Sequence, residues 1–147
     1  ALCVEAIEAL VSRFEAEARA ETLVEDITRG AMEVELFLPL YARLATVIEV
    51  AVADAPLFAA KRAIAASIAR FVAHLARLTG LDPKAAGQAG SALMMAMQGA
   101  AQFDITAMRD PGELPDDLKP VFAAQAFATS FPPTARLILS AAGQGGK

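Results

Sequence analysis

Side chains capable of catalysis are few in this 147-residue chain, which has one histidine and one cysteine. A Ser/His/Asp or Cys/His arrangement would need His74 to point into the protein. Helical spacing instead predicts that His74 lies on the polar face or rim of its helix, with Ser67, Arg70 and Arg77. We therefore predict no catalytic residues and expect a protein that is not an enzyme.

Motifs for metal, phosphate or nucleic-acid binding are also missing from the sequence. It has no HxxxH or ExxH pair for a metal and no GxxxxGK[ST] loop for a phosphate. Neighbouring acids such as Asp116 and Asp117 point apart on a helix and form no acid/base pair. With a net charge of -4, the chain offers no basic surface for DNA. We predict no metal and no cofactor, and DNA contact only through residues outside this chain.

An uncharged stretch over residues 85–103 is the most distinctive feature. Its methionines are soft and adaptable, and its small residues let another helix approach closely. We interpret it as one wall of a pocket for an apolar small molecule, completed by aromatic residues from other helices. The alternative is an ordinary bundle core. The predicted ligand-binding residues are Phe37, Tyr41, Phe71, His74, Met94, Met97, Gln98 and Phe103.

The same stretch approaches the length that spans a bilayer, but its glutamines and glycines make a poor lipid-facing helix. We therefore expect a buried helix and no membrane contact. The lone Cys3 forms no internal disulfide, and no basic segment followed by an apolar core opens the chain. These features favour a cytoplasmic location.

Amphipathic periodicity predicts an all-α fold, a single domain over residues 1–147 built as one bundle of about six or seven helices. A first helix covers about 2–18, and a second runs from a Thr22/Glu25 capping box to about Phe37. A third opens at Pro39 and reaches about Ala51, with Leu40, Leu44, Val47 and Ile48 inward. A fourth follows Asp54-Ala-Pro56.

The sharpest predicted boundary is Gly80-Leu-Asp-Pro83, with glycine as a left-handed C-cap, aspartate as an N-cap and proline at the first helical position. The fifth helix follows and ends near Ile105. A sixth begins at Asp116 or Asp117 and ends near Ser130, before a break at Phe131-Pro-Pro133. A short last helix reaches about Ala142, and residues 143–147 form a disordered tail.

The fifth and sixth helices together carry more apolar surface than a small bundle can cover by itself. We therefore predict a two-fold homodimer in which two helices from each subunit form a four-helix interface. The predicted interface residues are Gly87, Gly90, Ser91, Met95, Phe122, Ala126 and Phe127.

The order of these segments resembles the C-terminal ligand-binding and dimerisation domain of TetR/AcrR-type transcriptional regulators, over nearly the whole chain. The opening segment Ala1-Leu-Cys-Val-Glu-Ala-Ile-Glu-Ala-Leu10 resembles that family's connecting helix. Leu38-Pro39-Leu-Tyr-Ala-Arg-Leu44 and Ala53-Asp-Ala-Pro56-Leu-Phe58 resemble the opening of a short helix and the next break. Leu78-Thr-Gly-Leu-Asp-Pro83 resembles the turn before the first dimerisation helix.

The resemblance implies a homodimeric effector-binding domain of a repressor, whose helix-turn-helix part is not in this sequence. An apolar effector would shift the connecting helix and move the dimer between DNA-competent and released states. Two alternatives stay open. One is a small helical enzyme or carrier for an apolar substrate, and the other is a purely structural dimerisation module with a filled core.

Overall fold

A computed structural model of the chain describes residues 2–44, 53–104 and 110–145. All regular structure in these ranges is helical, which confirms the all-α prediction. The helices are α1 (Leu2–Glu17), α2 (Leu23–Glu33), α3 (Phe37–Ala42), α4 (Asp54–Thr79), α5 (Pro83–Phe103), α6 (Lys119–Gln125) and α7 (Phe127–Gln144), with a short 3-10 helix at Pro111–Glu113.

One apolar core lies between the helices. α5 packs against α3, α4 and α7, while α1 packs against α2, α3 and α4, and α2 also contacts α7. Each of these helices contributes a stripe of apolar side chains to the core, as amphipathic helices must. The largest side chains that are fully buried are Phe37, Phe127, Phe131, Ile7, Ile27, Leu75, Leu93 and Met97.

The turn between α4 and α5 has the predicted form. Gly80 ends α4 with a φ of 71°, in the left-handed region that favours glycine. The Asp82 carboxylate accepts a hydrogen bond from the Ala85 backbone N–H at 2.9 Å, and Pro83 occupies the first turn of α5. The sequence therefore located this boundary correctly.

The second predicted helix is shorter than expected and lacks its capping box. The Thr22 side chain makes no cap bond and donates instead to Asp26 at 2.6 Å. The helix ends at Glu33 because Val34 is extended, and Leu36 then takes a left-handed φ of 60°. α3 starts at Phe37, so Pro39 lies inside its first turn, where a missing N–H costs little.

The predicted break at Phe131-Pro-Pro133 was wrong. The chain breaks at Ala126, whose backbone is extended, and α7 continues through Pro132 and Pro133. Phe127 and Phe131 lie one helical turn apart and stack at 5.0 Å in the core. We attribute the continuity of the helix to the burial of this pair. Its favourable free energy offsets the cost of the backbone hydrogen bonds that the prolines remove.

Other boundary predictions were also shifted. Asp116 and Asp117 do not cap α6, which begins at Lys119 and ends at Gln125 rather than near Ser130. α4 begins at Asp54, and α7 extends to Gln144 into the predicted tail. The predicted third-helix residues Val47, Ile48 and Ala51, the fifth-helix end at Ile105, and tail residues 146–147 lie outside the described residues.

Taken singly, none of the described helices combines the length and the apolar composition that a membrane span requires, although α4 and α5 do so jointly across a bend of 116°.

Candidate ligand pocket and dimerisation face

Most of the predicted ligand-binding residues meet in the core. Phe37, Tyr41, Phe71, Met94 and Met97 are all buried there, contributed by α3, α4 and α5. Phe37 and Tyr41 stack with ring centroids 5.1 Å apart, as expected for neighbours one turn apart on α3. The structure thus gathers these residues in one place.

Phe103 does not join them. It lies at the end of α5 with 66% of its surface exposed, on the side of the last turn opposite to the core, whereas Ala101 in the same turn is buried. The prediction that Phe103 lies on an inward face with the buried aromatic residues was therefore wrong.

Tyr41 and Gln98 fix α3 on α5. The Tyr41 hydroxyl donates to the Met94 carbonyl at 3.2 Å, and the Gln98 side-chain amide donates to the Tyr41 carbonyl at 3.2 Å. Burial raises the pKa of Tyr41 to about 12, so the hydroxyl stays protonated and keeps donating at neutral pH. Both polar groups therefore serve the packing of the two helices.

His74 is buried, contrary to the prediction that it lies on a polar face or rim. Only 7% of its surface is exposed, and its ring meets Phe14 of α1 edge-on at 5.0 Å. Ser67, also predicted outward, is buried two helical turns earlier. The buried face of α4 therefore includes residues 67, 71, 74 and 75 and is turned relative to the predicted one, because α1 packs on that side.

One internal cavity adjoins this cluster. It has a volume of about 10 Å³, roughly the space of one water molecule. Phe14, Ile68, Phe71, Met94 and Met97 are among its lining residues. The core within the described residues is thus nearly filled and holds no preformed cavity of ligand size at this place.

Polar contacts bind α1 to α4 above the aromatic cluster. The Arg70 guanidinium pairs with both Glu8 and Glu15 of α1, and the Ser67 hydroxyl donates to Glu8 at 2.6 Å. The hydrogen bond from Ser67 and the Arg70 cation lower the pKa of Glu8. The two helices are therefore joined by a charged surface network and by the rings beneath it.

The predicted interface residues divide into three sets. Gly90 and Phe127 lie in the core of the chain, since a Cβ at Gly90 would come within 2.7 Å of Val72 Cγ2 and Phe127 is 1% exposed. Ser91 and Met95 are exposed on α5. The remaining three residues, Gly87, Phe122 and Ala126, are half-buried.

Sequence analysis missed the face of α7 that lies beside α5. Leu137 of α7, Met95 of α5 and Phe103 of α5 are the three most exposed large apolar side chains among the described residues, at 72%, 68% and 66%. A groove of about 630 Å³ lies between the start of α5 and the end of α7, with small residues such as Ala85 and Ala141 along it. The unbroken 3.6 periodicity after Pro133 was the available signal.

Charged side chains are nearly absent from these two helices. α5 contains only Lys84, in its first turn, and α7 contains only Arg136. Arg136 pairs with Glu25 of α2. We therefore define the outer α5/α7 face as Gln88, Ser91, Met95, Leu137 and Ala141, all of which are exposed.

No group of three or more His, Cys, Asp or Glu side chains that could hold a metal ion occurs in the described parts of the chain. Comparison with protein-family models, with curated proteins and with solved structures finds no significant match.

Proposed function

We propose that this chain is the effector-binding and homodimerisation domain of a TetR-type transcriptional repressor. In this proposal an apolar small molecule shifts the dimer between a DNA-competent and a released state. DNA would be contacted through a separate helix-turn-helix domain, and the protein would act in the cytoplasm. The net charge of -4 is consistent with leaving DNA contact to another domain.

The observation that carries the proposal is the outer α5/α7 face. Its two helices pack on each other and hold the most exposed apolar side chains of the described residues. Charge is depleted there, as it is at the centre of obligate interfaces. Two copies of this helix pair would form a four-helix interface around a two-fold axis.

The contacts of α1 support a route from effector to DNA-binding domain. In the resemblance, the segment at α1 is the connecting helix. Phe14 of α1 contacts both Phe71 and His74 of α4, at ring distances of 4.7 Å and 5.0 Å. In this proposal an effector that enters beside these rings pushes α1 away from α4, because the cavity there measures only about 10 Å³. The same movement would alter the distance between two attached DNA-binding domains.

Native mass spectrometry of the purified chain tests the proposal. We expect a dimer, together with a fraction that carries an apolar molecule retained from the expression host. Leu137→Glu should give a monomer, because it places a charge at the centre of the outer α5/α7 face. The matched control is Leu2→Glu, which changes the same residue type at a 61% exposed position on α1 and should stay dimeric.

Two results would overturn the proposal. A ligand-free monomer at micromolar concentration would contradict both the homodimerisation and the effector binding that we propose. A monomer that carries an apolar molecule would point to a helical carrier instead, since a carrier needs the pocket but not the interface.

A further inference from the structure

His74 has a buried hydrogen-bonding atom that no described residue satisfies. Arg77 lies with its Nη2 atom 2.8 Å from His74 Nδ1. A guanidinium can only donate, so Nδ1 accepts this bond and the proton of the neutral ring is on Nε2. His74 Nε2 is buried and has no hydrogen-bond partner among the described residues. Such an unpaired buried donor costs free energy until an acceptor reaches it.

The environment of His74 favours the neutral form of the imidazole. Burial lowers its pKa, and the Arg77 cation on the same helix lowers it further, against a smaller opposing effect from Glu15 on α1. A neutral ring keeps the Arg77 bond and the Nε2–H donor at the same time.

Two other polar residues are among the predicted ligand-binding residues, and both take part in bonds between α3 and α5. The Tyr41 hydroxyl donates to the Met94 carbonyl, and the Gln98 amide donates to the Tyr41 carbonyl. A ligand acceptor that took the Tyr41 hydroxyl proton would have to break a bond between α3 and α5, and the Gln98 amide is held at the Tyr41 carbonyl by one of its two N–H groups. His74 Nε2 can bind an acceptor without such a loss.

The side of the His74 ring that meets α1 is apolar. The ring contacts Phe14, and Phe14 contacts Phe71 at 4.7 Å. Both phenyl rings line the small cavity together with Met94 and Met97. Methionine side chains rearrange easily, so this part of the core can open for a small apolar molecule at lower cost than a wall of β-branched residues.

We infer that the effector is an uncharged apolar molecule with one hydrogen-bond acceptor of the carbonyl type, and that His74 Nε2–H donates to that acceptor beside Phe14. This inference rests on the proposed function, because it names the chemical class of the effector. An uncharged ligand fits this place best, because burying a charge among Phe14, Phe71, Met94 and Met97 would cost more than one hydrogen bond returns.

A pair of probes that differ by one group tests the inference. Acetophenone has a carbonyl where ethylbenzene has a methylene, and the two molecules have nearly the same shape. Since His74 is the only histidine, its ring gives a single set of imidazole signals in long-range ¹H–¹⁵N spectra. We expect acetophenone to bind about tenfold more tightly than ethylbenzene and to move the Nε2–H signal downfield.

The variant His74→Phe keeps an aromatic ring beside Phe14 and removes the donor. It should bind both probes with equal affinity. Equal affinities in the unchanged protein, an unmoved imidazole signal, or no binding of either probe would each overturn the inference. These three results need no variant, so they decide the matter even if His74→Phe does not fold.

Sedimentation of the same samples separates the two proposals. A dimer that shows no preference for acetophenone refutes the role of His74 and leaves the dimerisation proposal standing. A monomer refutes the proposed function itself, whichever probe binds.

Discussion

Replacing Gly90 by alanine tests the close contact between α4 and α5. Alanine in place of glycine inside a helix should add about 1 kcal/mol of stability. A Cβ at Gly90, however, would lie 2.7 Å from Val72 Cγ2, well inside van der Waals distance. Val72 is β-branched and cannot rotate freely in a helix, so the two helices must separate, at a cost of about 1–3 kcal/mol. We expect Gly90→Ala to destabilise the protein by about 1 kcal/mol on balance.

Urea unfolding followed by circular dichroism measures this change, with all variants at one protein concentration. Gly99→Ala is the matched control on the same helix, since no side chain of the described residues lies within 4 Å of its Cβ position, and it should be stabilising. Val72→Ala should rescue Gly90→Ala, because it removes the methyl group that clashes. The contact is refuted if Gly90→Ala stabilises the protein as much as Gly99→Ala does.

Two further predictions concern His74 and Leu36. The pKa of His74 is lowered from 6.5 in the folded protein, first by burial and then by Arg77, so the unfolded chain takes up the proton at a higher pH. The free energy of unfolding should therefore fall as the pH drops below about 6.5 and stay level above it, and His74→Phe should remove this slope in urea titrations. Leu36 has a left-handed φ of 60° and a half-exposed side chain, so Leu36→Gly should raise the melting temperature by relieving about 1 kcal/mol of strain. An unchanged slope in His74→Phe, or a lower melting temperature in Leu36→Gly, would contradict the respective argument.

The sequence predicts a helix boundary correctly where the boundary depends on hydrogen bonds between residues close together in the chain. Gly80, Asp82 and Pro83 form a helix stop and start whose hydrogen bonds lie within a few residues, and all three have the expected roles. The helical class also follows from periodicity alone, since buried stripes recur along α1, α4 and α5.

Tertiary packing determined the features that sequence reasoning got wrong. His74 was grouped with Arg70 and Arg77 by spacing, but the position of α1 decides which side of α4 is buried. The helix through Pro132 and Pro133 likewise depends on the burial of Phe127 and Phe131, which proline statistics do not include.

The candidate site could be predicted only in part, for the same reason. Sequence pattern selected Tyr41, Met94 and Met97 as inward residues, and they are buried together. It could not show that Tyr41 and Gln98 are occupied by hydrogen bonds between α3 and α5, or that His74 Nε2 has no partner in the described chain. Those distinctions depend on contacts between residues far apart in the sequence.

The central proposal is that two copies of the chain associate through the outer α5/α7 face. Sedimentation equilibrium of two variants, each with one methionine replaced by glutamate, tests it most directly. Met95→Glu changes a 68% exposed residue on α5, while Met32→Glu makes the same change at a 52% exposed residue on α2. The account predicts a dimer of twice the chain mass for the unchanged protein and for Met32→Glu, and a monomer for Met95→Glu. A monomeric unchanged protein, or a Met95→Glu variant that dimerises as tightly as Met32→Glu, would contradict it.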